Sequence, residues 1–580
     1  MPKGIQEGMK RLVVALLSLG LVFPQVGASS SVIPDEQYAQ KSKDEDGWKS
    51  LYINEQAERH TASLIANPRL GDPSSEAFKR ESYLCNSLED AACVAAPYLY
   101  ADTNLAPCLD ANDRFCIESL YAIKPSGEKV EGVFKKAIVE TGTAFYQPRP
   151  ELNLPRPAMG GLWEIPGVTH GGGKTTYSVI SNIVVALEKG RNTPVTTQKF
   201  RISRFSTAIY AVNEVSGNFF PITANDSSKL GVKILGYGSW GGENVEPCAV
   251  VGVGVCLARQ PLPLDHKLGV RVRIGANLPG WFHGRVFNPE ITASTDSSGL
   301  QRAEISAFPV QVPVVGGWVQ SSQLTEEVKN WITTDEHPFG GSGNWANKSI
   351  VDKPFAYNAE VSGNEALRIL KMWLPILGDK AVAVPTMWRY RVLTGDEMGG
   401  TPKCISDAKE FSGLVTTNAS VYGAGAPDFK KEDGVLDYKV MAPHFTPKNE
   451  EFLGTYDLAI KKSLTKCLYG FTDAPISASI SIFGEDGSKK VATTVVGEKD
   501  GWLYLSAKGF TYSAPVVQVK MVQEPPVIAP RPSPSPVATP TTAVNPKSLE
   551  MKRSALCVKG TKTKKVFGSN PKCPKGYKKA

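Results

Sequence analysis

At 580 residues the chain is too long for a single hydrophobic core, and 42% hydrophobic with 21% charged residues is an ordinary globular mixture, so two or more domains are expected. The net charge of +8 hides a division: residues 551–580 carry ten Lys or Arg and no Asp or Glu, which leaves 55 basic against 57 acidic residues upstream and leaves a basic nucleic-acid groove in the body unsupported.

The chain opens like a secretory signal. Lys3, Lys10 and Arg11 precede a short apolar run, Leu12 to Phe23, and Val26-Gly27-Ala28 supplies small residues for cleavage, so residues 1–28 are expected to be removed. Residues 29–79 read as a polar lead-in, loosely ordered or helical, with an amphipathic stretch around Leu51 to Ile65. Two acidic cysteine loops follow, Cys85 to Cys93 and Cys108 to Cys116. Ile117 to Ile123, the turn Lys124 to Glu128 and Lys129 to Ile138 then read as a hairpin.

Residues 80–402 are expected to form a β-rich main body, a two-sheet or sandwich-like structure, with strands at Tyr177 to Leu187, Lys199 to Val212, Val270 to Ile274 and Phe308 to Val315. One segment sets a conflict. The apolar run from Cys248 to Cys256 suggests a straight strand, which would hold its ends roughly 27 Å apart. A disulfide needs Cα atoms within about 7 Å, so pairing requires the chain to fold back near Gly252 and Gly254. Helix is expected only at Thr325 to Thr333 and at Asn364 to Leu374, the latter ended by Pro375.

Residues 403–523 read as a separate sandwich of immunoglobulin-like length. Leu436/Tyr438/Val440, Tyr456/Leu458/Ile460, Ile476/Ala478/Ile480/Ile482 and Val517/Val519/Met521 each repeat with period two, which implies one buried and one wet face. Residues 524–548 form a linker with eight prolines between Pro525 and Pro546. In polyproline II those positions could reach on the order of 70 Å at about 3.1 Å each. Residues 549–580 form a basic tail closed by Cys557 and Cys573.

That tail, Cys557-Val558-Lys559-Gly560 through Asn570-Pro571-Lys572-Cys573-Pro574-Lys575-Gly576-Tyr577-Lys578-Lys579, resembles a C-terminal motif of exported actinobacterial proteins. The body is similar to uncharacterised secreted proteins that carry it, through Gly280 to Arg285, Ala442 to Phe445 and Asp500 to Leu505. The resemblance implies export and a bacterial surface, and it assigns no activity and no functional residue.

All ten cysteines follow the signal, and an even number in an exported chain reads as disulfides. Nearest-neighbour closure pairs Cys85/Cys93, Cys108/Cys116, Cys248/Cys256, Cys404/Cys467 and Cys557/Cys573. A metal site is the rival, weakened by the absence of any Cys-x2-Cys pair and by six scattered histidines.

No intact catalytic motif emerges. Gly171-Gly172-Gly173-Lys174-Thr175 lacks the phosphate loop's first glycine, because Val168 occupies that position, and reads as a turn. Gly340-Gly341-Ser342-Gly343-Asn344 has Asn where a nucleophile elbow needs Gly, and Ser463-Leu464-Thr465-Lys466 lies in strand-like sequence without a Lys-Thr-Gly partner. Asp110 to Asp113 offers oxygen ligands, but Arg114 and Phe115 break the calcium-loop pattern. His283 and His444 are expected to be structural. Trp163, Trp240, Trp281, Trp318, Trp345 and Trp502 read mainly as core plugs, with sugar stacking as the alternative.

The combined expectation is an exported, mainly β, multidomain binding or adhesion protein at a bacterial surface. It uses no cofactor, no metal and no specific nucleic acid, and its mature chain has no transmembrane segment. Lys559, Lys562, Lys564, Lys565, Lys572, Lys575, Lys578 and Lys579 would hold it to anionic envelope polymers, with carbohydrate as the candidate ligand of the body. A secreted polysaccharide hydrolase with unidentified carboxylates and a passive envelope component are the alternatives.

Overall fold

Alternating apolar and polar side chains become strands through most of the chain in the computed structural model. It describes residues 34–523 and 553–579 apart from 56–61, 68–82, 140–145, 220–222, 226–232, 236–246, 334–354 and a few shorter stretches. The expected signal peptide, the Pro-rich linker, Trp240, Trp345 and Gly340 to Asn344 lie outside the described residues. The chain divides into two compact units at Glu524/Pro525.

The first unit is mainly β. Its framework is a long sheet whose central strands are, in spatial order, Thr176–Glu188, Arg201–Ser216, Arg389–Val392, Trp281–Arg285, Gly413–Thr417, Leu453–Lys461 and Trp502–Thr511. Trp281–Arg285 and Gly413–Thr417 pair in parallel, so the sheet runs straight through the boundary expected at 402/403. One six-stranded sheet, built on Phe115–Ile123, Lys267–Ile274, Gln301–Phe308 and Phe287–Thr295, shares a core with the long sheet. A second, built on Val435–Met441, Val516–Gln523 and Ile476–Phe483, shares a different core with it.

The long sheet is therefore covered on both faces where the two cores meet. Phe282, Leu414, Ala459 and Trp502 belong to the first core, while Trp281, Val415, Leu458, Ile460 and Leu503 belong to the second. This corrects the expectation of one wet face for Tyr456 to Ile460, since Asp457 and Ala459 are buried as well. Doubly covered strands lose simple alternation.

Other expectations change for similar reasons of long-range pairing. Within the polar lead-in, Trp48–Ile53 and Ala62–Asn67 are strands, not helix. The first lies between Val315–Gln320 and Phe355–Ala359, partners far away in sequence. Phe308 to Val315 breaks into Val310–Gln311 and a strand starting at Val315, because Pro309 and Pro313 lack the N–H that a ladder requires. The returning limb of the Lys124–Glu128 turn pairs with Phe115–Ile123 only over Lys129–Glu131, and Val133–Ala137 leaves to pair with Gly161–Glu164.

The helices Glu326–Thr333 and Asn364–Trp373 stand where expected and pack with the Trp48–Ile53 sheet in a third core. Three further helices, Ala91–Ala95, Lys403–Ser406 and Lys462–Tyr469, were not anticipated. Among the described residues no helix is long and apolar enough to cross a membrane.

Five disulfides close between sequence neighbours, Cys85–Cys93, Cys108–Cys116, Cys248–Cys256, Cys404–Cys467 and Cys557–Cys573, with Cα separations of 4.8 to 6.1 Å. The Cys248 conflict resolves by reversal: Cys248–Gly252 and Val255–Gln260 form a hairpin, and Gly254 takes a φ of 72° at the turn, a conformation open to glycine.

Cys467 is paired as expected, but its surroundings are not those expected. Its segment reads as strand-like, whereas Cys467 sits in the helix Lys462–Tyr469 and bonds to Cys404 in the helix Lys403–Ser406. Leu464 and Thr465 take the buried side of the longer helix, which leaves Cys467 exposed at the surface. The Cys404–Cys467 bridge also spans 63 residues, so it is a surface tie between two short helices rather than the closure of a short loop.

Candidate functional site

The second unit, described by itself, is a three-stranded sheet in the order Lys562–Gly568, Arg553–Lys559, Lys578–Lys579. Thirty residues with little apolar content cannot fill a core, and Cys557–Cys573 is the staple that takes its place. Ala555 and Cys557 are buried beside it. Lys559, Lys562, Lys564, Lys565, Lys572, Lys575, Lys578 and Lys579 are all exposed, and residues 551–580 hold no Asp or Glu. The fold thus brings six of the expected lysines onto one small sheet and leaves Lys572 and Lys575 on the segment that leads to its last strand.

The body contains a buried ionic seam that sequence reading missed. Arg389 and Arg391 alternate with Tyr390 and Val392, which places both arginines on one face of their strand. Cross-strand register adds Arg285 opposite Arg389 and His283 opposite Arg391. Glu55 binds Arg285 at 2.8 Å and Arg389 at 3.1 Å, and the Arg285 and Glu55 side chains are 1% and 6% exposed. Arg285 also donates to the carbonyls of Thr417 and Ala419. Arg391 forms two 2.6 Å bonds to the two oxygens of Glu397 and donates to the Tyr422 hydroxyl at 3.3 Å.

Burial alone would raise the Glu55 carboxyl, but Arg285 and Arg389 outweigh it and hold it below the usual carboxylate range. Three arginines face two glutamates here. His283, stacked on Tyr422 with centroids 3.6 Å apart, is kept neutral by burial and by Arg285 and Arg391. The paired, buried charges of this seam tie its strands together.

Glu397 also lines a polar cleft of about 330 Å³, at the lower end of the range for small-ligand pockets. The loop Gly423 to Pro427, Asp428, Lys430, Asp437 and Lys439 form its other walls. Asp428 and Asp437 stand directly opposite one another on paired strands. Asp428 is bound by Lys430, and burial raises the Asp437 carboxyl. The cleft offers carboxylates, ammonium groups and peptide groups suited to hydroxyl-bearing ligands. Two of its three carboxylates are already matched by cations.

The remaining candidates fall into structural roles. His444 donates its Nδ1–H to the Asp379 carboxylate at 2.6 Å and ties two loops together. Asp110 accepts from the amides of Asn112 and Asp113 within its own loop, Asp113 pairs with Arg156, and among the described residues no His, Cys, Asp and Glu group could hold a metal. Gly171 to Thr175 forms the turn between Gly161–Glu164 and Thr176–Glu188. Ser463 does sit in the first turn of a helix, contrary to expectation, but its side chain lies on the exposed surface. Trp163, Trp281 and Trp502 are buried, and Trp318 is half-buried. Compared with known proteins, the chain matches no family model and no curated protein.

Proposed function

We propose that this is an exported protein of a bacterial surface, held on anionic envelope polymers by its C-terminal basic sheet, with a body that binds rather than transforms its ligand. The observation that carries this reading is the set of eight exposed lysines in a disulfide-closed unit without a single Asp or Glu in residues 551–580. Many weak ammonium contacts sum to useful affinity on a polymer that presents many anions.

The signal-like start, the five disulfides and the resemblance of the tail to exported actinobacterial proteins support the location. The body's binding role rests on its polar cleft, for which a carbohydrate is the ligand class of choice. Because Arg391 holds Glu397 and Lys430 holds Asp428, binding is preferred to hydrolysis. The test compares the full chain with a version ending at Val522, both applied to cells at low salt. Full-length protein is expected to sediment with the cells and the shortened form to stay in the medium. Equal retention of the two overturns the assignment.

A further inference from the structure

We propose that the tail meets its polymer through one side only of its sheet, the side on which the Cys557–Cys573 disulfide lies, and that the polymer is a chain of phosphodiester anions. This rests on the reading of the tail as the retention device. Directly opposed residues share a face of a sheet, as do residues two apart along a strand. Lys559 stands opposite Lys562, and Cys557 stands opposite both Lys564 and Lys579. These four lysines therefore share the face of Cys557. The disulfide pins the segment bearing Lys572 and Lys575 over that same face. A Cβ on Gly576 would lie 3.3 Å from Lys559 Nζ, so this segment packs against the Lys559 side chain.

The reverse face differs. It carries Lys565 and Lys578 beside Val558 and Leu556, and Leu556 is 47% exposed. Charge is thus concentrated on the disulfide side. Directly opposed like charges destabilise a sheet, and Lys559 and Lys562 are so placed with no acidic residue in residues 551–580 to separate them. An external anion relieves that repulsion, which distinguishes a binding face from a merely soluble one.

Lysine is a common phosphate binder that meets the anion as a compact point charge from many directions, without the bidentate geometry that the arginine fork imposes on phosphate and carboxylate alike. Among the described side chains of this unit the eight exposed cations are lysines, six on the strands and two on the segment 572–575, and the strands also hold Arg553. The strand positions of the disulfide face, Arg553, Ala555, Cys557, Lys559, Lys562, Lys564, Val566, Gly568 and Lys579, include no aromatic ring on which a nucleic-acid base could stack.

The test uses the full chain and a synthetic glycerol-phosphate oligomer. Two double variants each remove two charges: Lys562→Gln with Lys564→Gln on the disulfide face, and Lys565→Gln with Lys578→Gln on the reverse. Mass spectrometry first verifies that Cys557–Cys573 is closed in both. The disulfide-face variant is expected to lose about tenfold in affinity and to flatten the salt slope by about one to two, and the reverse-face variant to change by less than about threefold. Equal losses overturn the one-sided face. Equal or tighter binding of polyglutamate or of a single-stranded DNA oligomer overturns the phosphodiester assignment. Neither result touches the comparison with the chain ending at Val522, which tests retention itself.

Discussion

Asp457 lies where the two sandwich cores share the long sheet, and its carboxyl is pushed up to about 6, chiefly by burial. It accepts from the Asn288 amide at 3.0 Å and the Thr416 hydroxyl at 3.1 Å. A carboxyl raised on folding adds stability below its unfolded pKa and loses that contribution as pH rises through the folded value. Asp457→Asn keeps both acceptor contacts and removes the buried charge. The variant is expected to melt higher than the parent at pH 7.5, by an amount on the order of 1–3 kcal/mol, and to match or fall below it at pH 4. Thermal melts of both proteins across that range check this, and a constant difference at all pH values would contradict it. The comparison must be between the two proteins. His170, lowered to about 4 by burial, and His283 act with the opposite sign, because only their unfolded forms take up a proton as pH falls through about 6.5. Cysteine pairing was legible at this scale because most of the loops are short and local. Once those are closed, Cys404 and Cys467 are the two left, although 63 residues separate them. The exposure of Cys467 was not legible, since it depends on which side of an unanticipated helix packs inward. Nor was the Arg285–Glu55 pair, whose partners lie 230 residues apart.

Among the elements, the parallel contact between Trp281–Arg285 and Gly413–Thr417 carries the long sheet across the expected domain boundary. Trp281 lies opposite Gly413, and a Cβ at position 413 would meet the indole ring at 2.3 Å. The same device recurs where Gly269 faces Tyr121 and Gly454 faces Phe510, with an aromatic ring filling the space a side chain would take. Gly413→Val is expected to destabilise the protein by about 1–3 kcal/mol or more through overpacking. Ala at the exposed Gly497, where a Cβ meets nothing within 4 Å, serves as the control. Chemical denaturation of both variants reads the difference, and equal midpoints would show that the Trp281 ring moves aside freely. Period-two patterns located Val516–Gln523 well, because apolar alternation records a buried face. They misjudged Leu453–Lys461, which is buried on both faces, and missed Lys462–Tyr469, whose eight residues follow directly on a strand.

For the whole molecule, the division of charge between a near-neutral body and a basic tail is reproduced as two compact units. The mainly β class was readable from turn residues and alternation, whereas the continuity of the long sheet was not, because register between distant strands leaves no local mark. The exposure of the tail lysines followed from their density alone. Their sidedness required the register. Whether summed ionic contacts of this sheet hold the protein to a surface is tested most directly by the salt dependence of binding to intact cells. If about half of the eight lysines contact phosphate, the logarithm of the binding constant should fall linearly with the logarithm of salt concentration, with a slope near −3. A flat line, or the same slope for a chain ending at Val522, would contradict ionic retention by the tail.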